Sequence, residues 1–318
     1  MSQTPQISVI IPLYNKVNEV GRAVESILNQ TYQNFVIIVV GGRSTDGSEE
    51  VLKKYPDTRI RFVQETGNNV AQARNQGIEA AETELIAFLD ADDEWKPAFL
   101  ETIVKLHQKY PNAGLYSTAY ERHAIKITKP SPVKGLPENF EGYIENYFKL
   151  YVDSGFPPFT TSSTVLDKKV FPAVGLFRKD ARISEDLEMW MKVAYHFPIV
   201  FTTEIHVRHN IFAENKTSQA FYAIDVLPPV AYLKSRPKEE LMKRADYADI
   251  CTAIEYMNLI AAYWNVGAGN MEHARKLLQE SHSSRFVVKR TGLRVLSALP
   301  GKFTDWVIKE YTRYATML

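Results

Sequence analysis

Four short runs rich in branched apolar residues punctuate the start of the chain: Ile7–Tyr14, Phe35–Val40, Ile60–Gln64 and Leu85–Leu89. Each is followed by a stretch with helical character: Val17–Gln30, Asp46–Tyr55, Asn69–Ala81 and Pro97–Tyr110. This alternation constrains the fold more than any other feature. These runs read as strands, the first two of them buried, and helices between them imply right-handed crossovers and a mostly parallel sheet. Ligands of such sheets sit at the carboxyl ends of the strands. Tyr14-Asn15, the segment Gly41 to Asp46, and Asp90 to Asp93 all fall there.

The pattern then loosens. Leu115–Tyr120 and Ile199–His206 read as strands, and Thr160–Leu166 as β-like. Pro130, Pro132 and Pro137 make 126–142 a loop, and Gly175–Ile183 reads as another. Tyr143–Val152 and Glu185–Phe197 read as helices, the second burying Leu187, Trp190, Val193, Ala194 and Phe197. From about Phe221 the chain is helical in pattern. The expected division is a catalytic domain over 1–215 and a helical extension over 216–318 that docks on the membrane or on another subunit, a second copy included.

Composition excludes several classes. Hydrophobic residues at 45% and charged residues at 24% are globular values, unlike those of a disordered chain or a coiled coil. Lys and Arg number 38 against 37 Asp and Glu, so the basic excess of a nucleic-acid binder is missing. Cys251 is the single cysteine and excludes an internal disulfide. No leader or membrane-spanning run is visible. The expected location is cytoplasmic, or peripheral on the inner face of the cytoplasmic membrane.

Asp90, Asp92 and Asp93 lie within four positions and repel one another, so their proximity needs a reason. On an extended backbone Asp90 and Asp92 point to the same side. Two such carboxylates at the mouth of a sheet suit Mg²⁺ or Mn²⁺, which share oxygens with phosphate and keep several waters. The plainer reading is a solvated turn in which Asp93 caps the helix near Pro97; it leaves Asp90 without a role.

Four segments, Ser8-Val9-Ile10-Ile11-Pro12-Leu13-Tyr14-Asn15, Ser44-Thr45-Asp46-Gly47-Ser48, Ala73-Arg74-Asn75-Gln76-Gly77 and Phe88-Leu89-Asp90-Ala91-Asp92-Asp93-Glu94-Trp95, are joined by a fifth, Glu185-Asp186-Leu187-Glu188-Met189-Trp190. In this order and spacing the chain resembles the family 2 glycosyltransferases of GT-A, nucleotide-diphospho-sugar fold. The resemblance implies an α/β fold: a mixed, mostly parallel sheet flanked by helices, with a helical carboxyl-terminal extension. It implies inverting, metal-dependent transfer of a sugar from a nucleotide-diphosphate donor to an acceptor hydroxyl. The acceptor would be a saccharide or lipid-linked saccharide in bacterial surface polysaccharide synthesis. Pro12, Tyr14 and Asn15 would line base and ribose, with Gly41 and Arg74 also at the donor. Asp90 would face the ribose and the metal–phosphate region, and Asp92 would coordinate Mg²⁺ or Mn²⁺. Asp186 matches the catalytic base, with Glu185 as its neighbour.

Each residue also has a plainer reading. Asp186 and Glu185 occupy a helix's first turn, favoured by its dipole, with Ser184 as cap. Arg74 can be a surface residue and Tyr14 core packing; Trp95 and Trp190 read as packing. His206, Arg208 and His209 form a basic trio that could face phosphate. Two other functions compete: a catalytically silent nucleotide-sugar-binding subunit, and a sugar-phosphate nucleotidyltransferase, whose Gly-rich amino terminus is missing here. The chain departs from the family at Gly41-Gly42, which stand where one or two Asp normally precede the Ser-x-Asp turn. That lost carboxylate accepts a hydrogen bond from the base, leaving Asp46, a water or a close backbone approach to substitute. Finally, residues 285–318 set Arg285, Lys289, Arg290, Arg294, Lys302, Lys309 and Arg313 among large apolar side chains. Such a segment suits either a docking helix or a membrane interface.

Overall fold

β1 (Ile7–Pro12) is buried at all but its last residue and β2 (Phe35–Gly41) along its whole length. Strands this apolar need cover on both faces, which fixes the layering. The computed structural model describes residues 6–124, 127–131, 133–211 and 221–299. The chain divides into two compact units, residues 1–216 and 217–318.

In the first unit, α1 (Val20–Leu28), α2 (Ser48–Leu52), β3 (Ile60–Gln64), α3 (Val70–Ala80) and β4 (Leu85–Phe88) complete the expected alternation. There follow β5 (Glu94–Trp95), α4 (Phe99–Lys109), β6 (Leu115–Ala124), β7 (Ile127–Pro130), β8 (Glu141–Tyr143), α5 (Tyr147–Ser154), β9 (Thr164–Asp167), α6 (Phe171–Val174), α7 (Glu185–His196) and β10 (Ile199–Asn210). The strand order is β3-β2-β1-β4-β9-β6-β10-β5, with β7 on β6 and β8 on β10. β1 to β4 are mutually parallel, and β10 runs parallel to β6. β9 is antiparallel to both β4 and β6, which makes the sheet mixed.

Ile7, Val9 and Ile11 of β1 share a core with Val20, Ala23, Val24 and Ile27 of α1, the i, i+3, i+4, i+7 stripe of an amphipathic helix. Ile10 faces the opposite layer, where Gly77 of α3 lies so close that a Cβ there would stand 2.4 Å from Ile10 Cγ2. The glycine lets α3 lie flat on β1 and brings Arg74, one turn earlier, to the strand ends.

Several boundaries differ from the expectation. The segment 126–142, read as a loop, contains β7 and β8. Pro130 is tolerated because it closes an edge strand, where its missing N–H interrupts no ladder. Tyr143 is taken up by β8, so the helix expected from it starts at Tyr147, behind Asn146, whose side chain accepts from the Lys149 N–H at 2.9 Å. Ser184 does not cap α7: its φ is +60° and it makes no capping bond.

The second unit comprises α8 (Pro228–Lys234), α9 (Lys238–Met242), α10 (Tyr247–Gly267), α11 (Met271–Gln279) and α12 (Val287–Ala298). Buried Asn265 of α10 accepts from the Ile224 N–H and donates to the Ile224 and Ala261 carbonyls. Arg290 donates to the Ser281 and Ser283 carbonyls and Arg294 to that of Leu278, so these two bases of the basic tail serve packing within the unit. The tail beyond 299, with Lys302, Lys309 and Arg313, lies outside the described residues. Among the described residues no helix is long and apolar enough to cross a membrane.

Candidate active site

The Leu89 N–H donates to the Ile10 carbonyl at 3.0 Å, and the chain then turns, the Asp93 N–H closing on the Asp90 carbonyl at 2.9 Å. Asp90 and Asp92 therefore sit on a turn and not on the extended backbone expected for them. The cause is Asp93. It is fully buried and accepts from the Ser162 hydroxyl, His209 Nδ1 (3.0 Å) and the Asn210 N–H (2.9 Å). Burial works to raise its carboxyl, but His209 and these hydrogen bonds hold it below the usual carboxylate range. Asp93 thus pins the turn to the start of β9 and the end of β10, and α4 begins without any side-chain cap.

Arg74 is 4% exposed and bridges two elements. Nη2 donates to Asp90 Oδ1 at 2.8 Å and Nη1 to Glu185 Oε1 at 2.9 Å. Its Nε is buried without a hydrogen-bond partner. Burial would lower its pKa; Asp90 and then Glu185 reverse that, and the net direction is upward. Arg74 is thus no surface residue. Asn75 beside it exchanges two hydrogen bonds with the Phe177 backbone, which fixes the segment leading into α7. On Glu185, burial and then neighbouring Asp186 push the carboxyl up against the pull of Arg74. Asp186 follows in the first turn of α7. Oδ1 accepts from the Leu187 N–H at 2.6 Å and Oδ2 from the Thr161 hydroxyl at 3.4 Å.

Asp92 is paired with Lys16, Nζ to Oδ2 at 3.1 Å, and both side chains are nearly buried. The Asp92 carbonyl accepts from Arg22 Nη2 and Asn210 Nδ2. The acids of the turn are thus neutralised separately: Asp90 by Arg74, Asp92 by Lys16, Asp93 by His209 and Glu94 by Arg22. Asp90 and Asp92 are hard oxygen donors, two in number, which fits a divalent cation that completes its shell with phosphate and water. One other group has metal-binding spacing among the described residues: Glu84, His107 and Asp167. It lies at the amino-terminal end of β4, opposite Asp90, and Lys169 already pairs with Asp167 at 2.7 Å.

At the ends of β1 to β3, half-buried Pro12 closes β1, while Tyr14 is 54% exposed, which excludes core packing. Asn15 has φ +50°; its N–H donates to Ser44 Oγ and its Oδ1 accepts from the Thr45 N–H, tying β1 to the turn after β2. Asp46 accepts from the Val17 and Ser48 N–H groups and is committed to that turn. The Gly41 carbonyl accepts from the Glu65 N–H at 2.6 Å. Gly42 has φ +108°, a conformation that Asp adopts only with strain. Beside it, the Glu65 carboxylate is 5% exposed and 3.5 Å from Arg43 Nη1, and the Arg43 guanidinium stands 5.8 Å from the Tyr14 ring centre. Burial, opposed by Arg43, raises the Glu65 carboxyl.

Trp95 and Trp190 are packing residues, both buried, with Trp95 Nε1 donating to the Ser162 carbonyl. The basic trio is spent on acids: His206 on Glu204, Arg208 on Glu121 and Glu94, and His209 on Asp93.

Residues 8–159 match the family model described as glycosyl transferase family 2. Over these residues the chain is similar to glycosyltransferase family 2. An uncharacterised glycosyltransferase of Rickettsia typhi is 25% identical over 252 residues, 75% of each chain. Glycosyltransferase GlyG of Streptococcus pneumoniae is 42% identical over 106 residues, 32% of this chain and 35% of that one. Among solved structures, S. aureus TarS 1–349 in complex with UDP-GlcNAc superposes with a TM-score of 0.61 at 14% identity, covering 94% of this chain and 88% of that one. The Pyrobaculum calidifontis mannosyltransferase PcManGT, in complex with GDP-Man and Mn²⁺, gives 0.58 at 17% identity, covering 96% and 84%. The fold of this glycosyltransferase is therefore GT-A.

Lys16, Glu65 and Ser162 were not singled out by the sequence. Lys16 directly follows Tyr14-Asn15, a signal that was available. Glu65 stands one residue beyond a strand, where a carboxylate looks like any loop charge. Ser162 reaches Asp90 and Asp93 from far along the chain, and nothing local marks it.

Proposed function

We propose that this glycosyltransferase carries out metal-dependent, inverting transfer of a sugar from a nucleotide diphosphate to an acceptor hydroxyl. Residues 1–215 would form the catalytic domain and 216–318 the extension. The observation that carries the reading is the state of Asp186. It adjoins the Arg74–Asp90–Glu185 network yet has no ion-pair partner among the described residues. In this reading Asp186 takes the acceptor proton as the hydroxyl oxygen bonds to the anomeric carbon. The bond from that carbon to the diphosphate oxygen breaks on the opposite face, and the nucleoside diphosphate leaves. Asp90 and Asp92 would hold Mg²⁺ or Mn²⁺, which when bound relieves the charge growing on the leaving group. Arg74 holds Asp90 and Glu185 in place.

Tyr14 offers an exposed ring to the base. Glu65, with Arg43, supplies a carboxylate in place of the one lost at Gly41-Gly42, a role that Asp46 is too committed to take. The donors named for TarS and PcManGT, UDP-GlcNAc and GDP-Man, support a nucleotide-sugar donor. The family resemblance alone suggests the acceptor, a saccharide or lipid-linked saccharide in bacterial surface polysaccharide synthesis.

The test is turnover of a panel of uridine, guanosine, thymidine and cytidine sugar nucleotides with and without Mn²⁺. Asp186→Asn should lower turnover of the preferred donor by ~10²–10⁴-fold, the usual worth of a general base, with donor binding nearly unchanged. Undiminished turnover in that variant refutes the assignment.

A further inference from the structure

We infer that Arg122, set against the ring of Phe156, receives an oxyanion carried by the acceptor, a carboxylate or a phosphate, so that the acceptor is an acidic or phosphorylated saccharide. The inference rests on the transferase reading above and names the class of its acceptor.

Arg122 lies near the carboxyl end of β6. β9 is antiparallel to both β4 and β6, so the carboxyl ends of β4 and β6 open on the same edge of the sheet. Two strand spacings, roughly 10 Å, separate β6 from β4. Arg122 therefore stands to one side of the donor residues carried by β1 to β4. The path from it to Asp186 is short. The Arg122 guanidinium is 5.7 Å from the Phe156 ring centre, and the Tyr120 hydroxyl, on the same face of β6, donates to the Pro157 carbonyl at 3.4 Å. Thr161, whose hydroxyl donates to Asp186 Oδ2, follows Phe156 by a length of chain that spans at most ~18 Å. That is the reach of a short saccharide. Burial raises the Tyr120 phenol, Arg122 opposes the rise, and Asp93 and then Asp186 add to it, which sets both acids and the guanidinium around one ring.

The charge of Arg122 is the deciding feature. The residue is half-buried, its Nε is buried without a partner, and among the described residues its guanidinium makes no hydrogen bond or ion pair. The other arginines near the site, Arg22, Arg74, Arg178 and Arg208, each meet a carboxylate. The acids nearest to Arg122 are already committed: Glu121 to Lys96 and Arg208, and Asp93 to His209. Its partners across the sheet are basic, Lys129 on β7 and His209 on β10. Basic residues set side by side on neighbouring strands repel, and an anion between them relieves the repulsion. The planar fork of arginine matches carboxylate and phosphate oxygens alike. Phe156, 48% exposed, supports the guanidinium through its ring.

The experiment titrates glucose, glucuronate and glucose 1-phosphate into the full chain, with uridine or guanosine diphosphate and Mg²⁺ added to fill the donor site. Binding is followed by ligand-observed nuclear magnetic resonance. The better of the two charged sugars should bind at least about tenfold more tightly than glucose, the scale of one charge-assisted contact. Which of them it is distinguishes a carboxylate within the glycan from a phosphate linkage. Arg122→Gln should erase the preference, and Arg122→Lys, which keeps the charge, should retain part of it; circular dichroism verifies that both variants fold. Equal binding of charged and neutral sugars, or a preference that survives in Arg122→Gln, overturns the subsite. A loss of diphosphate affinity in Arg122→Gln as large as the loss of charged-sugar affinity assigns Arg122 to the donor and overturns it as well. Turnover of Asp186→Asn, which does not depend on Arg122, judges the transferase reading separately.

Discussion

Replacing Arg74 with methionine removes the cation that separates Asp90 from Glu185. Methionine keeps much of the stem volume, so the loss is chiefly electrostatic. Removing one partner of a buried ion pair costs ~3–5 kcal/mol, because the remaining charge is stranded. The Asp90 side chain is 30% exposed and recovers some hydration, whereas Glu185 at 12% does not. The lower end, about 3 kcal/mol, is therefore expected. At ~2–4 °C per kcal/mol for a domain of this size, the melting temperature should fall by roughly 6–12 °C at neutral pH. The sign of the pH dependence follows from Glu185. Burial and Asp186 already raise its folded pKa, and without Arg74 it rises further. A carboxyl with a folded pKa above its unfolded value binds its proton more tightly in the folded state. Stability then falls as pH climbs from the unfolded value, about 4.3, through the folded one. The deficit of Arg74→Met should thus be largest near neutrality and shrink on acidification toward pH 5. Thermal unfolding of both proteins across that range is the assay. Adding Glu185→Gln to Arg74→Met should restore part of the loss. A deficit below about 1 kcal/mol, the worth of an exposed pair, or one that grows on acidification, refutes the reasoning.

Glu65→Gln should weaken the preferred nucleoside diphosphate by about 10–100-fold, the equivalent of one charge-assisted hydrogen bond, and leave metal binding without nucleotide unchanged. Equal titrations of variant and wild type would remove Glu65 from base recognition. Gly77→Ala should lower the melting temperature, because its Cβ would overlap Ile10 and lift α3 from β1. The overpacking penalty of ~1–3 kcal/mol exceeds the ~1 kcal/mol that alanine returns in helix propensity. A rise in melting temperature would contradict the close contact.

What the chain revealed before its structure was known divides along a physical line. The alternation of β1 to β4 with α1 to α3 was legible because burial on two faces imposes unbroken apolar runs on β1, β2 and β4, while edge strand β3 is largely exposed, and an amphipathic helix imposes its own period. The position of Asp90 to Asp93 at a strand's carboxyl end followed from the same pattern. β7 and β8 were hidden, since short edge strands carry little apolar signal and Pro130 argued against one of them. The competing reading of Asp93 as a cap arises because a carboxylate shortly before a helix looks like one. Only the fold reveals that Ser162, His209 and Asn210 converge on it from 69 to 117 positions away. The same distance concealed the Lys16–Asp92 pair, 76 positions apart. Gly41-Gly42 stood out as a departure, while the left-handed backbone of Gly42 and the carboxylate beside it could not be inferred from any local pattern.

The site's electrostatics explain why so many acids can share one turn. Carboxylates this close destabilise a fold unless each finds a cation, because repulsion strengthens as water is excluded. Arg74 and Arg22 answer Asp90 and Glu94 with guanidinium groups that also hold a second acid or the backbone, and His209 answers Asp93. Lys16 answers Asp92 with a group on a flexible stem, whose own backbone is anchored elsewhere. The rigid pairs set the geometry, and breaking any of them costs stability. An acidic turn built this way keeps its shape because each of its carboxylates meets a cation.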